Sequence, residues 1–172
     1  MSASRKDRAR VHLDTTYLLP FLGLDIELKH FTLKRFEGYL SKVDEMHLSE
    51  ISVYEAKAKI HRLASRTPDY AAAHEGFGDN LKVLQEDEKV RFHRYTPADD
   101  VRLNFLYTKT PDIDFFDAVI VAQAAEAGLL LTEDHDILSL RGSMWLDEAP
   151  WNRLKIINWS HAITEPPLDN DT

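Results

Sequence analysis

The sequence contains no cysteine. That absence excludes a disulfide framework, a zinc–thiolate site and a thiol nucleophile, and it fits a reducing, cytoplasmic setting. No apolar run is long enough to span a bilayer. No apolar segment of signal-peptide length follows the basic start Met1–Arg10. The expectation is a soluble chain with no membrane partner. Positive charge is also in short supply: 21 Lys and Arg stand against 29 Asp and Glu, for a net charge of −8. A domain that only grips duplex DNA is usually basic, so that role is disfavoured. A glycine-rich phosphate loop is missing. So is the Gly-x-Ser-x-Gly turn of a serine hydrolase.

What is present is 172 residues, enough for one domain with its own core. Residues 1–10 read as a flexible basic tail, 11–160 as the domain and 161–172 as a flexible acidic tail. Val11-His12-Leu13 reads as a strand that stops at Asp14, and an apolar stretch from Thr15 to Leu24 then opens a helix near Pro20. Thr32–Val43 has helical spacing, and Met46-His47-Leu48 is a second strand. Ser49–Ala64 is the clearest helix, with Val53, Ala56, Ile60, Leu63 and Ala64 as its apolar stripe. A helix over Tyr70–Glu86, a strand over Val90–Tyr95 and a helix over Pro97–Tyr107 follow, the last with Val101, Phe105 and Leu106 facing inward. An alanine-rich helix, Phe116–Ala127, stops at Gly128. Leu129-Leu130-Leu131 comes next, a short and wholly apolar run that suits a central parallel strand. Leu154–Trp159 is the last strand, and Trp145 and Trp151 read as core-packing residues. Alternating strands and helices make this an α/β domain with a mainly parallel central sheet flanked by helices. Sites in such sheets form beyond the carboxyl ends of the strands.

Acidic residues stand where those ends should be. Asp14 follows the first strand, and Asp134 follows Leu129-Leu130-Leu131 across Thr132-Glu133. Asp117 opens the helix before that strand, where alone it reads as a cap. Glu55 lies beside the apolar stripe of its helix and alone reads as an exposed glutamate. Together they offer oxygen ligands to a hard divalent cation, which would cancel their mutual repulsion. Such a cation orients phosphate and activates water.

Four blocks resemble the PIN-domain nucleases: Val11-His12-Leu13-Asp14-Thr15-Thr16, Leu48 to Glu55, Asp117 to Ala124, and Gly128 to Asp136. Their order and separation also fit, from Val11 to about Trp159. The resemblance implies a PIN-like three-layer fold. It further implies a Mg2+- or Mn2+-dependent endoribonuclease that leaves a 5′-phosphate and a 3′-hydroxyl. It assigns Asp14, Glu55, Asp117 and Asp134 as catalytic metal-binding acids, with Asp136 as a further ligand at the rim. Thr16, Ser49 and Thr132 would support the carboxylates by hydrogen bonds, and Asp114 is a second candidate near Asp117, although three residues earlier it reads more as the cap of the helix or of its preceding turn. Within the family, a VapC-type toxin is the usual occupant at this size. It would form a homodimer, take RNA as its substrate and be blocked by an antitoxin protein whose arginine suits the acidic cleft.

Lys59, Arg62 and Arg66 share one side of the third helix and are candidate RNA contacts, or else a solvated face. Arg91 and His93 fall on one face of their strand and Arg94 on the other, so they form no single patch. His135 reads as an exposed loop residue. Two other functions compete. One is a non-enzymatic PIN-like module that binds protein or RNA. The other is a haloacid-dehalogenase-type phosphatase, which wants an aspartate where Thr16 stands.

Overall fold

A computed structural model describes residues 9–164. The outer parts of both expected tails lie outside the described residues. Inside them, the first strand takes in Arg10, and the last helix takes in His161 and Ala162.

Five strands form one sheet in the order β3-β2-β1-β4-β5, all parallel. They are β1 (Arg10–Leu13), β2 (Glu45–Ser49), β3 (Val90–His93), β4 (Leu129–Leu131) and β5 (Lys155–Ile157). The helices are α1 (Thr15–Leu18), α2 (Leu33–Leu40), α3 (Glu50–Leu63), α4 (Pro68–Glu86), α5 (Pro97–Lys109), α6 (Phe115–Ala127), α7 (His135–Ser139) and α8 (Trp159–Ala162).

Strand side chains alternate, and each face of the sheet has its own core. Val11, Leu13, Leu48 and Leu131 join Phe36, Ala56, Ile60, Phe77 and Trp159 on one side. Leu130 and Ile156 join Leu106, Ile120, Trp145 and Trp151 on the other. Trp145 and Trp151 meet edge to face at 5.4 Å between centroids, and Phe105 stacks on Trp151. The segment between α7 and β5 is therefore core, as expected. Every residue of α6 from Ala118 to Ala124 is buried, which its all-round apolar sequence requires. Gly128 ends that helix at φ +82°, and an added Cβ would meet the Arg153 carbonyl oxygen at 3.4 Å. Glycine avoids both problems.

Several sequence expectations shift. The helix expected over Thr15–Leu24 is one α turn followed by a tighter turn at Leu19–Leu22, because Pro20 has no backbone N–H with which to continue a longer helix. Val101 is 70% exposed, so α5 turns inward on Leu103 and Leu106 instead. The last strand ends at Ile157, because Asn158 caps α8 by accepting from the His161 backbone N–H. Helix α7 was not expected. Its cap is Asp134 itself.

Candidate active site

Strand order sets the location of the site. From β1 the chain moves outward to β2 and β3, and then returns to β4 and β5 on the other side of β1. β1 and β4 are therefore neighbours whose following segments depart in opposite directions. This is the switch point at which open parallel sheets leave a crevice. Asp14 follows β1 there, with Thr132 and Asp134 just past β4. The Asp14 backbone N–H donates to the Leu131 carbonyl at 3.1 Å and joins the two strand ends.

Asp14 is 5% exposed. Its Oδ1 accepts from the Thr15 backbone N–H at 2.6 Å, and its Oδ2 accepts from the Thr132 hydroxyl at 2.7 Å. The Thr132 hydroxyl accepts in turn from the Asp134 backbone N–H at 2.9 Å. One buried threonine thus couples the two aspartates. Asp134 commits Oδ1 to the amides of Asp136 and Ile137 at the start of α7. Glu55, exposed on α3, accepts from the Thr15 hydroxyl. Asp117 stands in the first turn of α6, and no hydrogen bond to its carboxylate occurs among the described residues. Asp114 caps that helix by accepting from the Phe116 backbone N–H at 2.9 Å. Asp114 thus takes the capping role that its place three residues before Asp117 suggested, and the cap read for Asp117 standing alone is not formed.

The electrostatics bind these groups into one cluster. Burial, with smaller pushes from Glu55 and Asp134, raises the Asp14 carboxyl from its ordinary 3.8 to about 6 against the pull of its two threonine hydrogen bonds. Burial and then the charges of Asp134, Asp14, Asp114 and Glu55 raise Asp117 to about 7. Groups drawn from β1, α3, α6 and the end of β4 therefore feel one another. Among the described residues, no three acidic or histidine side chains stand close enough to make a ready-built ion cage. Magnesium requires less, because it binds through one or two carboxylates and keeps its waters. The donors here are all hard oxygens, and Asp117 is half-buried with no hydrogen-bond partner for its carboxylate among the described residues. A divalent cation fits this donor set, and it would relieve the mutual repulsion that adds to burial in pushing both carboxyls up.

Other expected contributors sit differently. Thr16 makes no hydrogen bond to the acids among the described residues; Thr15 takes that role. Ser49 is buried and accepts from the Ile51 backbone N–H, so it caps α3 and touches no carboxylate. Asp136 is exposed at the edge of α7. Lys59 and Arg62 lie on α3, but α3 ends at Leu63 and Arg66 falls in the following turn. Thr67 and Pro68 start α4 and cut the helix short. His135 is exposed, as expected.

Sequence reasoning missed two features. Glu133 accepts from the Tyr17 hydroxyl and, at 2.7 Å, from the Trp159 backbone N–H, which ties the loop after β4 to α1 and α8. His12, His47 and His93 stack across β1, β2 and β3, with His47 Nδ1 and His93 Nε2 2.8 Å apart. Both rest on pairings between distant segments, which spacing along one chain does not reveal.

The PIN domain family model matches residues 11–142. The chain belongs to the PIN domain family. Members of that family are generally nucleases that work with divalent metal ions. The fold is also similar to that in the crystal structure of VapBC2 from Rickettsia felis bound to a DNA fragment from their promoter. That match has a TM-score of 0.58 and 15% identity, and it covers 87% of this chain and 98% of the other. The structure of VapBC-1 from nontypeable Haemophilus influenzae is similar at TM-score 0.51 and 14% identity, over 88% of this chain and 98% of that one. Among curated proteins, none matches this sequence. No helix among the described residues of this PIN domain is long and apolar enough to cross a membrane.

Proposed function

We propose that the protein is a metal-dependent endoribonuclease, the toxin of a toxin–antitoxin pair, acting in the cytoplasm on RNA. The observation that carries this reading is the charge-coupled cluster of Asp14, Glu55, Asp117 and Asp134 at the β1/β4 switch point. Asp14, Asp117 and Asp134 would hold Mg2+ or Mn2+, with Glu55 and Asp136 at the rim. When bound, such an ion orients the phosphate, lowers the pKa of water and neutralises the leaving oxygen.

The chain's own groups do the rest. Thr132 fixes the Asp14 carboxylate with one hydrogen bond and the Asp134 backbone with another. Thr15 fixes Glu55. Asp117, raised to about 7 in the metal-free protein by burial and the neighbouring carboxylates, would give up its proton to the solvent as it takes its place beside the ion. Lys59 and Arg62 on α3, with Arg66 in the turn beyond it, offer positive charge for the RNA backbone. The solved VapBC complexes of this fold pair a toxin with an antitoxin, and an arginine supplied by such a partner would complement the acidic crevice. A homodimer is the assembly we expect.

The test is cleavage of single-stranded RNA with manganese by wild type, Asp14→Asn and Asp117→Asn, with and without chelator. Removing a ligand should cost roughly a hundredfold or more. Equal cleavage by all three proteins rejects the site. Binding of RNA without any cleavage by the wild type favours the non-enzymatic module.

A further inference from the structure

Helix α6 is buried from Ala118 to Ala124, while in its first turn Phe115 and Phe116 are each 46% exposed. Neither ring joins either core cluster. They pack on each other instead, edge to face, with centroids 5.7 Å apart and planes at 71°. An adjacent pair of phenylalanines held off the core has no folding role to explain it, unlike singly scattered surface apolar residues. Their position is equally specific. Asp117, in the acid cluster, is the next residue along the same turn.

The segment leading into this turn, from Thr110 to Asp117, carries Asp112, Asp114 and Asp117 and neither Lys nor Arg. The nearest preceding cation, Lys109, lies over the Phe105 ring at 5.3 Å. A nucleic-acid strand running along this segment therefore meets no Lys or Arg of the segment's own for its phosphates. It finds two half-exposed aromatic rings packed edge to face. The basic residues belong to the neighbouring α3, which packs against α6. Two half-exposed rings also offer far less than the roughly 800 Å2 per partner of a stable protein interface. They match the footprint of a single base.

We propose that Phe115 and Phe116 form a stacking platform for a nucleobase next to the scissile phosphate, making single-stranded RNA the substrate form. The proposal rests on the ribonuclease reading. Every base has a π-face, so such a platform grips strongly and reads sequence weakly. A paired base in a duplex is already stacked and cannot lie on it without being unstacked first.

The experiment uses the full chain as wild type, as the double variant Phe115→Ala/Phe116→Ala, and as Phe115→Trp/Phe116→Trp. The probe is a fluorescein-labelled twelve-nucleotide single-stranded RNA, beside an abasic ribose-phosphate strand of equal length. Anisotropy in calcium chloride reads binding, and manganese-dependent cleavage reads turnover. The alanine variant should bind the RNA between about 5- and 150-fold more weakly. Its KM should rise with kcat retained, the mark of lost uniform binding. The tryptophan variant should keep wild-type affinity, and the abasic strand should bind wild type and alanine variant alike. Unchanged RNA affinity in the alanine variant overturns the platform. So does an equal loss on the abasic strand, or tryptophan behaving as alanine does. Retained RNA affinity with a loss of self-association in sedimentation makes the pair a protein contact and also overturns it. Base-dependent binding without cleavage by the wild type keeps the platform and removes the ribonuclease reading. Cleavage unaffected by the alanine variant removes the platform alone. No RNA binding by the wild type removes both.

Discussion

Replacing Asp14 with Asn should stabilise the metal-free protein at pH 8 while abolishing cleavage. The Asp14 carboxyl is 5% exposed and is held at about 6 against an ordinary 3.8. Its folded-state pKa is raised, so the folded chain binds this proton more tightly than the unfolded chain does. The associated stability is complete below about 3.8 and is lost as pH rises through about 6. A displacement of that size corresponds to about 3 kcal/mol at most. Asn carries no charge and avoids this loss. It keeps an acceptor for the Thr15 amide but turns a donor toward the Thr132 hydroxyl, which now donates to Asp14 at 2.7 Å. Losing that hydrogen bond costs about 1 kcal/mol. The net gain at pH 8 should be on the order of 1–2 kcal/mol. Urea unfolding in chelator at pH 5 and pH 8 measures it. The gap between the two proteins should open with rising pH, and Mg2+ or Mn2+ should close it by stabilising only the wild type. An Asn variant less stable than wild type at pH 8, or a gap indifferent to pH, would refute the reasoning.

Three further outcomes are expected. Thr132→Val removes the donor to Asp14 and the acceptor for the Asp134 amide within a buried site, so it should cost about 1–3 kcal/mol in urea melts and lower kcat as well. His47, buried beside His93, is held down at about 4 by burial first and His93 second. Its unfolded form takes up a proton more readily, so stability should be whole above about 6.5 and fall as pH drops toward 4, and His47→Gln should flatten that acid limb of a thermal-melting profile. Trp151, 1% exposed between Trp145 and Phe105, should cost about 3–5 kcal/mol when changed to Ala, with a lower urea midpoint, because the two remaining rings cannot close over the hole.

What was legible in the sequence was whatever lies within one continuous segment. Leu129-Leu130-Leu131 between a Gly128 stop and an acid announces a central strand with a site at its end, and β4 and Asp134 occupy those places. Asp14 after Val11-His12-Leu13 is legible in the same way. Contacts that join segments far apart in the chain were not. Thr15 rather than Thr16 meets Glu55, because the first turn of α1 aims the earlier hydroxyl at α3. Arg66 leaves its expected stripe because Thr67 and Pro68 start a new helix, so local capping overrides the longer periodicity. The three stacked histidines come from β1, β2 and β3 at registers that only strand pairing sets. Helix α7 was hidden because Asp134 serves as both candidate ligand and cap, and in sequence only the first role stood out.

That double use bears on how the site is built. Each carboxylate in the cluster other than Asp117 has one oxygen or more tied to the protein: Asp14 to Thr15 and Thr132, Asp134 to two amides of α7, Glu55 to Thr15. Those bonds fix where these charges stand before any cation arrives, and because no three of the groups form a ready-built cage, closing round an ion falls to Asp117 and to retained waters. Asp117 has no such anchor among the described residues, and its carboxyl is raised to about 7, above the value of about 6 at Asp14. It is therefore the group whose state changes most when a cation enters, losing its proton as the ion binds. Metal affinity should accordingly rise between pH 6 and pH 8, by up to tenfold per pH unit for one proton released. Isothermal titration with Mn2+ in buffers of different ionisation enthalpy counts that proton directly. An Asp117→Asn protein should lose most of the release, and the same pH slope in variant and wild type would assign the proton to another group.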